Sequence, residues 1–214
     1  MFNGVAPLPV SSPNITISTP TSNEWVRGTI NIAGVAQDYA GLSSVALSID
    51  GNPVTTITTN LSNPTFPVDT TTMAEGFHTF MLSVTNVAGL TTTASGSFGV
   101  DNTPPTVAAA VTGTGGTTCH VTGSAADILS GVNPNANNHV DFADNRIPPE
   151  SATVHLALTN NTFSFDPAFT FLQGPTYTFT LHIFDSAGNE RVEGHTYVPV
   201  FRCSVGANCN CTIQ

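Results

Sequence analysis

The run Gly76-Phe77-His78-Thr79-Phe80 returns roughly 100 residues later as Gly174-Pro175-Thr176-Tyr177-Thr178-Phe179, and the Asn86-Val87-Ala88-Gly89-Leu90 that follows it returns as Asp185-Ser186-Ala187-Gly188-Asn189. Upstream, Val45-Ala46-Leu47-Ser48-Ile49-Asp50-Gly51 pairs with Val154-His155-Leu156-Ala157-Leu158-Thr159-Asn160-Asn161. Each run ends in residues that tolerate positive φ in a tight hairpin. Repetition at this spacing means two copies of one unit, each the size of an ordinary domain. Whatever fold one copy takes, the other must take as well.

Period decides what that fold is. In Ser44-Val45-Ala46-Leu47-Ser48-Ile49 the apolar Val45, Leu47 and Ile49 share one face, and in Thr79-Phe80-Met81-Leu82-Ser83-Val84 so do Phe80, Leu82 and Val84. Runs of this kind recur, separated by Gly, Asn and Pro, and no helical period accompanies them. The chain therefore reads as all-β. Between the copies stands Val100-Asp101-Asn102-Thr103-Pro104-Pro105, whose two prolines fix φ and make a stiff, extended connector. The expected layout is an extended N-terminal arm at 1–12, a first domain at 13–103, a second at 104–200 with an inserted loop at 130–150, and a cysteine-bearing tail at 201–214.

Three strings carry a resemblance. Gly-x-His-Thr-Phe-x-Leu-x-Val at 76–84, Asp-x-Ala-Gly-Asn at 185–189 and the Val100 to Pro105 connector resemble the bacterial Ig-like repeats of extracellular adhesins and multidomain surface proteins. Gly28-Thr29-Ile30-Asn31-Ile32-Ala33-Gly34-Val35-Ala36-Gln37-Asp38 is similar to the second strand of those repeats. The resemblance implies two tandem immunoglobulin-like β-sandwiches of about seven strands each. Such sandwiches are scaffolds with many jobs, so the family alone does not set a function. Antibody-type domains fit poorly, because the Cys…Trp…Cys pattern is missing and Trp25 is the only tryptophan.

Charge removes several functions. Charged residues are only 8% of the chain, lysine is absent, and Arg27, Arg146, Arg191 and Arg202 are the only fixed cations against 14 acidic residues. A phosphate-loop lysine, a Schiff-base lysine and a basic nucleic-acid footprint are all excluded. With a formal charge of −10, nucleic acid and anionic membrane surfaces are repelled. No apolar run is long enough for a membrane helix, so no membrane insertion is expected. The start Met1-Phe2-Asn3-Gly4 lacks the regions of a secretion signal, which leads us to expect a processed chain or part of a longer one. Four cysteines, Cys119, Cys203, Cys209 and Cys211, suit disulfides in an oxidising compartment, and an extracellular or cell-surface location follows. Pairings between Cys119, Cys203 and the last two are favoured over the very small Cys209–Cys211 ring, with zinc as the alternative.

Candidate sites come in three groups. Asp38, Asp101 and Asn102 near the junction, with Asp127, Asp185 and Asn189, offer the oxygen ligands calcium prefers, although Asp and Asn end strands without metal very often. The inserted loop carries His139, Asp141, Asp144, Arg146 and Glu150 as a candidate ligand loop, with Phe142 as its one aromatic for stacking a sugar. His155 and His182 each point away from their apolar neighbours. If their strands are adjacent, they form an outer-face patch that Glu193 and His195 join, suited to a transition metal or a pH-sensitive contact.

Catalysis is not expected. Asp141 and Asp144 are the closest pair of carboxylates in the loop, but nothing in their spacing indicates the substrate cleft that hydrolysis needs, and Gly-x-Ser-x-Gly and His-Glu-x-x-His are absent. The reading is a non-catalytic extracellular structural module: a spacer, or a subunit of a cell-surface or filamentous assembly. Its partners would be other copies of itself, reached through the apolar arm, or neighbouring surface domains. The alternatives are an adhesin or carbohydrate-binding module that takes a glycan through the loop, and an accessory domain of a larger extracellular enzyme.

Overall fold

The computed structural model describes residues 11–113, 119–146, 149, 151–166 and 176–197, and divides into two compact units, Met1–Asn102 and Thr103–Gln214. In the first unit the strands are β1 (Asn14–Thr19), β2 (Glu24–Val26), β3 (Thr29–Gln37), β4 (Leu42–Ile49), β5 (Asn52–Ile57), β6 (Thr65–Asp69), β7 (Gly76–Asn86) and β8 (Thr91–Val100). They form a three-stranded sheet ordered β1-β3-β6 and a five-stranded sheet ordered β2-β8-β7-β4-β5. The alternation that the sequence shows is the reason the sheets pack. Val45, Leu47 and Ile49 of β4 and Phe80, Leu82 and Val84 of β7 meet Ile32 of β3 and Phe66 of β6 in one buried core.

Local turn chemistry fixes the registers. Asp50 and Gly51 both have positive φ (50° and 77°), the geometry of a two-residue hairpin whose twist matches its strands, and they join β4 to β5. Antiparallel pairing dominates, but β2 runs parallel to β8, with Glu24 opposite Phe98, Trp25 opposite Gly99 and Val26 opposite Val100.

The second unit holds β9 (Thr106–Gly113), β10 (Cys119–Ala126), β11 (His139–Asp144), β12 (Ser151–His155), β13 (Thr162–Phe165), β14 (Tyr177–Phe184) and β15 (Glu190–Tyr197). Its sheets are ordered β13-β10-β9 and β12-β11-β14-β15. Val121, Phe163 and Phe165 from the first sheet close on Val140, Phe142, Phe179 and Leu181 from the second. In each unit two sheets pack face to face, and the fold is all-β and immunoglobulin-like, as the alternation requires.

One expectation is corrected here. Residues 139–144, read from sequence as part of an inserted loop, are a central strand. Val140 and Phe142 face the core while His139 and Asp141 face outward. Three of the six side chains in β11 are ionisable, and that masks an otherwise regular alternation. Because β11 lies beside β14 as β4 lies beside β7, β11 is the counterpart of β4. Val154 and His155 instead end β12, the counterpart of β5, so the upstream repeat pairing slips by one strand.

Candidate functional site

At one end of the first unit, the turn after β3 and the turn after β7 are tied together. Asp38 Oδ1 accepts from the Ala40 amide at 2.7 Å, and Asn86 Nδ2 donates to Asp38 Oδ2 at 3.2 Å and to the Ser11 carbonyl at 2.9 Å. Asn86 Oδ1 in turn accepts the Leu90 amide at 2.9 Å, and Gly89 supplies the positive φ of that turn. The second unit repeats the device with Asp185 in place of Asn86 and Asn189 in place of Leu90. Asp127 Oδ1 accepts from the Leu129 and Gly131 amides at 3.0 and 2.8 Å, and Asp185 Oδ1 accepts the Asn189 amide at 2.7 Å. The other oxygen of Asp185 accepts Asn189 Nδ2 at 2.7 Å. Where the first unit sets an amide against Asp38, the second brings the carboxylates of Asp127 and Asp185 within 4.8 Å.

Asp101 and Asn102 lie at the opposite end of the first unit from Asp38. Asn102 Oδ1 accepts the Gly28 amide at 2.8 Å, its Nδ2 donates to the Thr70 carbonyl at 3.2 Å, and the Asp101 amide donates to Val26. These partners surround the start of β7, whereas Asp38 binds at its far end, roughly 30 Å along the strand. The expected grouping of Asp38 with Asp101 and Asn102 is therefore corrected: the length of β7 separates them.

The residues assigned to the loop disperse in a similar way. Asp144 is buried at the end of β11 and pairs with the Arg146 guanidinium, while its other oxygen accepts the Arg146 amide at 3.1 Å. Phe142, the expected sugar platform, is 4% exposed and packs edge-on against Phe165, so it offers no face to a ligand. Glu150 lies outside the described residues, as do Cys203, Cys209, Cys211 and the arm at 1–10. Cys119 opens β10 opposite Gly113.

The histidines converge more closely than their sequence positions suggest. Register places His155 of β12 opposite His139 of β11, and His139 opposite His182 of β14, a row across three strands of one outer face. The His139 and His182 rings stack at 4.3 Å between centroids, 3° from parallel. His139 Nδ1 donates to the Asn137 carbonyl at 2.8 Å, and His182 Nδ1 donates to Glu190 Oε1 at 2.6 Å. Their Nε2 atoms lie 3.9 and 3.6 Å from Asp141 Oδ2. His195 does not join them. It sits opposite core-facing Phe179, stacks on that ring at 4.9 Å, and places Nε2 3.2 Å from Glu193. His139 escaped the sequence reading of the patch because it was placed in a loop; the alternation of His139, Asp141 and Ala143 was the available signal.

A further histidine pair went unread. His78 Nδ1 lies 2.6 Å from Asp50 Oδ2, and His78 Nε2 lies 2.8 Å from the Ala74 carbonyl. The hydrogen bond from His78 and the Thr79 amide hold the Asp50 carboxyl below its ordinary value. Burial pushes the His78 imidazole down, but the hydrogen bonds to Asp50 and Ala74 outweigh it and raise the group above its ordinary value.

Residues 13–81 match the family model of the bacterial Ig domain. No curated protein matches the chain. Among solved structures, it is similar to the fibronectin(III)-like modules of Clostridium thermocellum CbhA, at 15% identity over 86% of this chain and 92% of that one, with a TM-score of 0.49. It is also similar to a 1.5-MDa bacterial ice-binding adhesin, at 20% identity over 87% of this chain and 64% of that one, TM-score 0.48. A third likeness, to the endo-β-1,4-mannanase from Thermotoga petrophila, has 16% identity, covers 45% of this chain and 21% of that one, and has a TM-score of 0.37. These are likenesses of fold. Bacterial Ig domains typically occur in extracellular or surface proteins and are generally non-catalytic modules. Among the described residues, no helix is long and apolar enough to cross a membrane.

Proposed function

We propose that this chain, with a bacterial Ig domain at 13–81, is a non-catalytic extracellular spacer: a structural module of a surface protein or assembly. The observation that carries the reading is how each unit holds its end of the connector. Asn102 makes hydrogen bonds through its amide, Oδ1 and Nδ2 to Glu75, Gly28 and Thr70 of the first unit. The next residue, Thr103, accepts from Asn189 of the second unit, at 3.5 Å. Consecutive residues are thus anchored in different units, and Pro104 and Pro105 lead directly into β9. A connector stiffened by two consecutive prolines suits a part whose task is to keep a distance. The abundance of uncharged Thr, Ser and Asn, with a formal charge of −10, agrees with that task, since such a surface does not invite nucleic acid.

Spin labels at one exposed position in each unit test this through their distance distribution. We expect a single narrow peak in the native chain and a distribution at least twice as wide when Pro104→Gly and Pro105→Gly are combined. An equally broad distribution in both would defeat the spacer reading. Calcium belongs to the same proposal, with Asp127 and Asp185 as the carboxylates it would neutralise. Repeating the measurement with a calcium chelator assigns it a role if the peak broadens and removes it if the peak is unchanged.

A further inference from the structure

We infer that His139, Asp141 and His182 form a binding site for a divalent transition ion of the zinc class on the outer face of the second unit's four-stranded sheet. The backbone does the positioning. His139 and His182 are direct cross-strand partners on β11 and β14, where paired Cβ atoms lie about 5 Å apart, and Asp141 is two residues further along β11 on the same face. One ligand atom from each of the three falls within 4.8 Å of the others. Tetrahedral zinc, with bonds of about 2.0–2.2 Å, needs ligand atoms roughly 3.4 Å apart. The Nε2 to Asp141 Oδ2 separations of 3.6 and 3.9 Å are close to that edge length.

The protons are already in the right place. A backbone carbonyl only accepts, so the 2.8 Å contact with Asn137 puts the His139 proton on Nδ1. An ionised Glu190 likewise only accepts, which puts the His182 proton on Nδ1. Each Nε2 therefore presents a lone pair on the side where Asp141 lies. Histidine held through its other nitrogen by a carboxylate or carbonyl is the arrangement that orients an imidazole towards a metal and raises its basicity. Asp141 is steadied too, because its Oδ1 accepts from Thr153 Oγ1 on β12 at 2.5 Å.

Ligand type narrows the ion. Two imidazoles and one carboxylate suit zinc, copper or nickel, while calcium prefers an all-oxygen shell. The carboxylates of Asp141 and Glu190 make the patch attractive to a cation. Side-chain exposures of 16%, 19% and 46% for His139, His182 and Asp141 leave it open to solvent. A fourth position falls to water or to exposed His155, which register sets opposite His139. Coordination tilts the two rings out of their parallel stack so that both lone pairs converge, and it ties β11 to β14 across the sheet.

Calorimetric titration of Zn²⁺ into the full chain, first stripped with a chelator, tests the site. One ion per chain with micromolar affinity is expected. His139→Gln, His182→Gln and Asp141→Asn should each weaken binding at least tenfold, and His195→Gln should leave it unchanged. Circular dichroism of each metal-free variant checks that it folds; Asp141→Asn alters the most exposed ligand and keeps the test valid if a histidine variant does not. Binding of Co²⁺ should add the visible absorption of a tetrahedral nitrogen and oxygen site. The proposal falls if no zinc binds, if affinity survives in the double histidine variant, or if it is lost only when Cys203, Cys209 and Cys211 are changed to Ser.

Discussion

The pairing of His78 with Asp50 links two strands at the β4–β5 hairpin and makes stability depend on pH in a definite direction. His78 is raised above its ordinary 6.5, so its charged form contributes fully below that value and is lost as pH climbs through the raised folded value. Asp50 is lowered beneath its ordinary 3.8, so its contribution is present above that value and disappears as pH falls through the lowered one. Both are in place between about pH 4 and 6.5. His78→Gln should therefore cost about 0.5–1 kcal/mol at pH 5.5, the modest range of a partly exposed pair, and clearly less at pH 9. Urea unfolding at the two pH values checks it, and equal costs would show that the pair is not what His78 contributes.

Among the elements, the two turn devices differ most where Asn86 of the first unit gives way to Asp185 in the second. Asn86 satisfies Asp38 with an amide, and Asn86→Asp would remove the donors to Ser11 and Asp38 and set two carboxylates together. A loss of about 1–3 kcal/mol from the first unit is expected, read as a lower urea midpoint with an unchanged slope. This end of the unit was legible in sequence only as a repeated string, Asn86-Val87-Ala88-Gly89-Leu90 against Asp185-Ser186-Ala187-Gly188-Asn189. Strands whose alternation is purely apolar against polar, such as β4 and β7, could be read directly. β11 could not, because His139, Asp141 and Asp144 gave it the composition of a loop. That one strand also decided the candidate site. Without it, His155 and His182 looked like neighbours, His139 was left out, and His195 was put on the wrong face. Pairing across a sheet is a long-range choice, and a single strand read as loop shifts every neighbour after it.

For the whole molecule, two cores imply two accounts of stability. Leu82 and Leu181 are each fully buried, one in each core. Leu82→Ala and Leu181→Ala should each cost about 2–5 kcal/mol. Calorimetry should show one of two transitions moving while the other keeps its temperature; a single transition shifted by both would mean the cores unfold together. The parallel pairing of β2 with β8 bears on a different kind of stability. Near its beginning and its end, the first unit's chain runs side by side in the same direction, joined over the three residue pairs from Glu24 and Phe98 to Val26 and Val100. A pull that draws the two ends of the unit apart slides these strands lengthwise past each other, so the bonds between them bear the load at once instead of opening one by one. A module tethered at a surface would meet flow or traction with this joint loaded in shear.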